Sequence, residues 1–157
     1  MHQCQSLLLA PVPVTVASTS HSHGHVYIHN TIPHATVTAH TFTSTINPSQ
    51  LFWLQLSTPA PMLLGVVYLH PEATAADRAQ LTTQLHAVAD NAAMPTVVIG
   101  DMNAHHSDWQ SQKNTANGTA LADFLHTSHW TCVNAAMAPG QHTHTSHSHG
   151  HGGGGIG

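Results

Sequence analysis

The spacing of apolar residues changes near residue 74 from a strand pattern to a helical pattern, and this change limits the possible folds of the chain more than any other feature. Before it, β-branched and apolar residues alternate in segments separated by turn-forming residues, such as the Asn-Pro-Ser run at 47–49. This pattern predicts successive, mostly antiparallel strands at 26–28, 36–43, 51–56 and 62–69. After it, Leu81, Leu85 and Val88 recur at helical spacing. The order of the two periods predicts several strands followed by a helix.

The helical segment also carries its own start signal. Thr74 is followed three residues later by Asp77, which resembles a capping box, so we expect a helix over 75–91. After Pro95 comes a continuous apolar run, 96–99, of the kind that a buried central strand uses. A second helix is expected over 120–126 and a last strand over 130–133.

Composition divides the chain into three parts. The 157 residues fit one compact domain. Residues 1–25 are rich in Ser, Thr, His and Pro and are expected to form a low-complexity arm, because they end in a Ser/His run at 19–25 with little capacity to bury surface. Residues 26–137 are expected to form the folded domain, and 138–157 a Gly/His-rich tail.

Fixed charges are few and clustered. All eight lie between Glu72 and Asp123, and only two of them, Arg78 and Lys113, are positive. Release of counterions from nucleic acid by lysine and arginine is therefore almost absent near neutral pH, and autonomous DNA binding is expected to be weak. Histidine, with 18 copies, supplies most of the polar side chains that can titrate near neutrality.

The cysteines and the amino-terminal run indicate no secretion. Cys4 and Cys132 lack the spacing of a disulfide framework or a zinc knuckle, so two free thiols are expected. The short apolar run near the start lacks a basic region, and Pro11 and Pro13 interrupt it. No run is long enough to cross a membrane, so we expect an intracellular protein without membrane contact.

The tetrapeptide Gly100-Asp101-Met102-Asn103 follows the apolar strand directly. Active sites of α/β proteins commonly lie at such strand ends. Spaced two apart, Asp101 could hold or deprotonate a water while Asn103 donates a hydrogen bond to a phosphoryl oxygen. The alternative is an Asx turn that merely closes the strand.

The wider segment 96–109, including His105, His106 and Trp109, resembles the signature of the endonuclease/exonuclease/phosphatase superfamily. The His-His pair and the tryptophan are most similar to the endonuclease domains of non-LTR retrotransposons. Further likeness lies in the segments 64–71, 117–118, 121–125 and 132–134. The resemblance implies an α+β fold, the DNase I-like four-layer sandwich of two β-sheets with outer helices, represented here incompletely.

That resemblance also implies roles for three residues. Tyr68 would contact the scissile phosphate, Asp101 would align the attacking water, and Asn103 would fix water and phosphate. The alternative for Tyr68 is a half-buried strand tyrosine. For His105 and His106, adjacent histidines on a loop more often diverge than share one metal ion, and they resemble loop framework packed on Trp109.

The resemblance implies magnesium and a nucleic-acid substrate, but this sequence departs from the family's pattern. Relatives have an asparagine and a metal-binding glutamate on early strands, and a late aspartate with an Asp-His pair. Glu72 follows the tyrosine strand and is in the wrong place for that glutamate. One remaining carboxylate, Asp101, cannot supply a magnesium ligand pair. The sequence therefore predicts a fragment or degenerate member that is inactive alone.

A histidine cluster in the tail offers a competing function. Imidazole suits zinc, nickel and copper, and a tract of this composition can adapt to their geometry. The alternative functions are thus a noncatalytic metal-binding or interaction protein, or a solvated tail with no ligand. The candidate ligands are His142, His144, His147, His149 and His151.

Overall fold

A computed structural model describes residues 14–17, 26–29, 31–57, 59–91 and 93–137. The strands are β1 Val14–Ala17, β2 Val26–His29, β3 His34–Thr43, β4 Gln50–Leu56, β5 Met62–Tyr68 and β6 Thr96–Asp101. The helices are α1 Ala75–Asn91, α2 Ala116–Thr127 and α3 Val133–Met137, with a single 3-10 turn at Ser107–Trp109.

The strands form one four-stranded sheet in the order β3-β4-β5-β6 and a separate ribbon of β1 and β2. Neighbours β3, β4 and β5 are antiparallel, whereas β6 runs parallel to β5. The parallel pair is joined through α1, because a parallel connection needs a crossover of at least a dozen residues. The prediction of mostly antiparallel strands followed by a helix and an apolar strand is confirmed.

Strand β3 bends at a bulge, where its pairing with β4 shifts between Val37 and Phe42. His40 lies in this bulge with a φ of 59°. Its carbonyl accepts a hydrogen bond of 2.8 Å from the indole Nε1 of Trp53. The bulge therefore satisfies the one polar group of the largest fully buried side chain in the described core.

Helix α1 has the predicted boundaries, and its capping box is present. The Thr74 hydroxyl accepts from the Asp77 amide, and the Asp77 carboxylate accepts from the Thr74 amide. Asn47 also donates to this carboxylate, at 2.7 Å, and so ties the loop before β4 to the helix. Burial alone would raise the pKa of Asp77, but hydrogen bonds from Thr74, Ser44 and Asn47 outweigh it and lower the pKa below its ordinary value of 3.8.

The main core lies between the sheet and the two long helices. Trp53 is fully buried at its centre, and Gly65 on the neighbouring strand leaves room for the indole. A Cβ at Gly65 would lie 2.5 Å from Trp53 Cζ3. The buried members of this core are Phe42, Leu51, Trp53, Val67, Leu69, Ala73, Leu81, Leu85, Val88 and Phe124.

The opposite, outer face of the sheet has a smaller cluster. Ile28 of β2 packs against Phe52 and Leu54 of β4 and Val66 of β5. Farther along this face, Val97 and Ile99 of β6 are 42% and 49% exposed. Within the described residues, the outer face is therefore covered over β4 and β5 and open over β6.

Three segments differ from the sequence predictions. The expected strand over 130–133 is wrong: Val133–Met137 forms the short helix α3, in which the Ala136 amide donates to the Cys132 carbonyl. Alanine and methionine favour helix, and this run pairs with no described strand. Helix α2 begins four residues earlier than expected, because Thr115 caps it. Strand β1 lies within the segment 1–25 that was expected to be an arm.

Within the described residues, no helix is long and apolar enough to cross a membrane. Cys132 is a free thiol, as expected, and Cys4 lies outside the described residues.

Candidate active site at the ends of strands β5 and β6

Tyr68 and Asp101 are direct partners in the pairing of β5 with β6. Side chains alternate along a strand, and Val67 and Val98 point into the main core. Tyr68 and Asp101 therefore lie on the outer face of the sheet, on the same side as Val66. The fold brings these two sequence-predicted site residues together at the strand ends.

Asn103 completes this group through two hydrogen bonds. Its backbone amide donates to Asp101 Oδ1 at 3.1 Å, which makes an Asx turn, and its φ of 45° lies in the left-handed region that asparagine tolerates. Its side-chain Nδ2 donates to the Leu69 carbonyl at 3.0 Å. The predicted group and the alternative Asx turn thus exist together, because the turn is what orients Asn103.

Each of the three side chains is accessible to some degree. Asp101 is exposed, and Tyr68 and Asn103 are half-buried. Asp101 Oδ2 accepts no hydrogen bond within the described residues, and one N–H of the Asn103 amide remains after the bond to Leu69. The geometry therefore offers one carboxylate oxygen and one amide donor at the edge.

Gly100 is required for β5 and β6 to pair up to their ends at Tyr68 and Asp101. Its φ is +146°, and a Cβ there would lie 1.8 Å from the Val67 carbonyl oxygen. Any side chain would force β6 away from β5 immediately before Asp101.

The loop after β6 is organised around Trp109. Its indole Nε1 donates to the Ala104 carbonyl at 3.0 Å, and its ring lies 5.3 Å from the ring of His106. His105 contacts Ser111 through Nδ1, whereas His106 contacts Asp108. The two histidines diverge as expected and serve the loop framework.

Asp108 links this loop to helix α2. Its carboxylate lies 3.2 Å from His106 Nδ1 and 2.9 Å from His126 Nε2. The Asp108 amide also donates to His106 Nδ1, so that nitrogen faces a donor and an acceptor at once. When either imidazole is protonated, its contact with Asp108 becomes an ion pair at an exposed site.

Sequence reasoning missed two buried residues behind the site. The Ser49 hydroxyl accepts a hydrogen bond of 2.9 Å from the His70 backbone amide. The side-chain Nδ2 of Asn117 donates a hydrogen bond of 2.9 Å to the His70 carbonyl. In the sequence, Asn117 stands out only as part of an Asn-Gly pair that resembles the family, and no pattern indicates Ser49.

The site does not fit a complete magnesium centre. Magnesium takes hard oxygen ligands in octahedral geometry, from carboxylates, water and substrate phosphate. Within the described residues, no group of three His, Cys, Asp or Glu side chains could hold a metal ion. Asp77 is committed to its helix cap and Asp108 to two histidines, so neither carboxylate joins Asp101 in a ligand pair. The tail histidines His142, His144, His147, His149 and His151 lie outside the described residues.

A cavity of about 460 Å³ lies elsewhere. It is lined by the end of α1, the first residue of β6 and the segment 127–131, including His86, Asp90 and Trp130. Thr96 is at the opposite end of β6 from Asp101, so this cavity does not belong to the candidate site.

Residues 62–151, more than half of the chain, match the endonuclease-reverse transcriptase family, designated Exo_endo_phos_2. The chain belongs to this family.

Among solved structures, the chain is similar to the endonuclease domain of TRAS1, a telomere-specific non-LTR retrotransposon. The identity is 19% and the TM-score 0.54, over 72% of this chain and 52% of that domain. This similarity shows a DNase I-like fold, and the chain spans about half of the length of the domain it matches. No curated protein sequence matches. The resemblance stated from the sequence is confirmed.

Proposed function

We propose that this chain is an endonuclease-type domain whose edge at Tyr68, Asp101 and Asn103 binds a phosphodiester of nucleic acid. The observation that carries the proposal is the pairing of Tyr68 with Asp101, with Asn103 hydrogen-bonded to both strand ends. All three residues fall within the segment that matches the family. The similar TRAS1 domain is described as an endonuclease, which supports nucleic acid as the class of substrate.

Each residue has a distinct role in this proposal. The Tyr68 hydroxyl donates to a phosphoryl oxygen. The remaining N–H of Asn103 donates to the same group. Asp101 Oδ2 is an acceptor that can hold a water molecule beside this phosphoryl group.

The resemblance implies magnesium, but the proposal contains no magnesium step, because no group of three His, Cys, Asp or Glu side chains within the described residues could hold a metal ion. This chain alone is expected to bind nucleic acid without cutting it efficiently. Affinity should be weak, on the order of 10–100 µM, because nonspecific binding depends on lysine and arginine.

Binding is tested by fluorescence anisotropy with a labelled 20-nucleotide single strand at low salt. Tyr68→Phe removes only the hydroxyl and should weaken binding about threefold to tenfold, as for the loss of one hydrogen bond worth about 1 kcal/mol. Asp101→Asn should leave affinity unchanged or raise it, because it removes a negative charge near phosphate. Asp123→Asn, on the exposed side of α2, is the matched control and should have no effect. Equal affinity for Tyr68→Phe and the wild type would place the bound strand elsewhere.

Cutting is tested by nicking of a supercoiled plasmid with magnesium. The expected result is no nicking above background, with Asp101→Ala as the comparison. Robust nicking that Asp101→Ala abolishes would show that the chain carries a complete catalytic site.

A further inference from the structure

The two residues that follow Tyr68 have every backbone polar group bonded to another element. The Leu69 amide donates to the Asp101 carbonyl, and the Leu69 carbonyl accepts from Asn103 Nδ2. The His70 amide donates to Ser49 Oγ, and the His70 carbonyl accepts from Asn117 Nδ2. The position of the Tyr68 backbone is thus fixed by contacts with segments far away in sequence.

Asn117 is the member of this set that joins both loops of the site. Its Nδ2 donates to the His70 carbonyl at 2.9 Å and to the Met102 carbonyl at 3.2 Å. His70 lies just beyond Tyr68, and Met102 lies between Asp101 and Asn103. One carboxamide therefore uses both of its N–H groups, one on each loop.

The Asn117 side chain is buried, with a residue exposure of 1%, yet its Oδ1 has no hydrogen-bond partner in the described structure. A buried polar atom without a partner costs free energy. The two hydrogen bonds from Nδ2 of the same carboxamide are therefore needed to keep the Asn117 side chain buried. An aspartate of the same shape would face two carbonyl oxygens with no hydrogen to give.

The amino-terminal turn of α2 holds Asn117 in place. Thr115 Oγ1 accepts from the amides of Gly118 and His105, at 3.1 Å each. Gly118 packs so closely on the loop that a Cβ there would lie 1.9 Å from the His105 carbonyl oxygen. The helix start is therefore bonded to the loop that carries Asn103, and Asn117 cannot shift without moving that loop.

We propose that Asn117 is a positioning residue, which sets the spacing between Tyr68 and the Asp101–Asn103 turn by bridging the two loops. The inference rests on the proposed function, since it names what holds that site in its binding geometry. Asn117 itself is buried and touches no substrate.

The test uses the full chain with Asn117→Asp, which keeps the shape and removes both donors. Asn91→Asp is the matched control, because Asn91 is exposed at the end of α1 and bonds only within its helix. At pH 8, Asn117→Asp should speed hydrogen exchange of the Leu69, His70 and Asn103 amides about tenfold, as expected for lost buried hydrogen bonds. Anisotropy with the same 20-nucleotide strand should show affinity reduced about tenfold. Asn91→Asp should match the wild type in both measurements.

Lowering the pH should partly restore the affinity of the Asn117→Asp variant. A neutral carboxylic acid donates one hydrogen bond, and burial favours the neutral form. At pH 5.5, Asn117→Asp should regain part of its affinity relative to the wild type at the same pH, whereas Asn117→Ala should not. If Asn117→Asp does not fold, Asn117→Ser, which keeps one hydroxyl donor, carries the test and should lose affinity about threefold to tenfold.

The two measurements separate the inference from the function beneath it. Wild-type exchange rates at Leu69 and His70 in Asn117→Asp would overturn the bridge. Faster exchange with unchanged relative affinity would overturn the positioning role. No binding by the wild type would overturn the proposed function and the positioning role with it, while the exchange rates would still report the bridge.

Discussion

The inner and outer faces of the four-stranded sheet bury apolar side chains to very different extents. On the inner face, Trp53 is fully buried between the strands and the helices. On the outer face, Val97 and Ile99 of β6 remain 42% and 49% exposed. Stability therefore comes mainly from the inner face, because the hydrophobic contribution grows with the apolar area removed from water.

The candidate site lies on the less packed outer face, so hydrogen bonds rather than apolar packing hold it. The Asx turn at Asp101 and the bridges from Asn103 and Asn117 provide that rigidity. Fold stability and site geometry therefore depend on separate residues in this chain, so a mutation can change one without the other.

The largest difference between the faces is expected for truncation of a single side chain. Trp53→Ala should lower the free energy of unfolding by about 3–5 kcal/mol, because it leaves a large cavity and an unpaired His40 carbonyl. Ile99→Ala on the outer face should cost less than about 1 kcal/mol, because about half of that residue is already in water. Urea denaturation followed by circular dichroism measures both. Similar losses would mean that the outer face is covered in solution.

A second prediction concerns the fit between Gly65 and Trp53. Gly65→Ala should cost about 1–3 kcal/mol, because its Cβ would overlap the indole. The loss should largely vanish when Trp53 is replaced by leucine, since the two residues couple directly. A double-mutant cycle in urea measures this coupling, and additive effects would locate the strain elsewhere.

Asp77 offers a smaller effect with a defined pH dependence. Asp77→Asn should cost about 1 kcal/mol near neutral pH through the weakened cap of α1. The pKa of Asp77 is lowered in the folded chain, so the stability contributed by its charge is present above 3.8 and is lost as pH falls through the folded pKa.

The difference between wild type and Asp77→Asn should therefore be constant from pH 5 to 8 and shrink below about pH 4. Asp90→Asn, on the exposed end of the same helix, is the control and should show no such loss. A difference that grows in acid would contradict the lowered pKa.

The smallest effect belongs to polar substitution on the open part of the outer face. Val97→Thr and Ile99→Thr should each change the free energy of unfolding by no more than about 0.5 kcal/mol. Thermal melting in parallel with the wild type tests this. A loss above about 2 kcal/mol for either would show that these side chains are buried in solution.

Local patterns were enough for several elements. The boundaries of α1 follow from Thr74, Asp77 and an apolar stripe, because a cap and a helical period act within a few residues. The strand predicted at 96–99 also follows from a short apolar run, and in the structure it extends to Asp101. The same reasoning failed at 130–133, where β-branched and aromatic residues suggested a strand, but this segment pairs with no described strand and leads into helix α3.

For the site, strand ends and a family resemblance were enough to indicate the chemically suited residues, which are Tyr68, Asp101 and Asn103. Their relative positions depend on the tertiary fold. The register of Tyr68 with Asp101 joins segments 33 residues apart, and the Asn117 bridge reaches 47 residues back to His70. Such contacts depend on how distant segments pack together. The hydrophobic period of a strand indicates which of its faces is apolar, but it does not indicate which segments lie next to that strand.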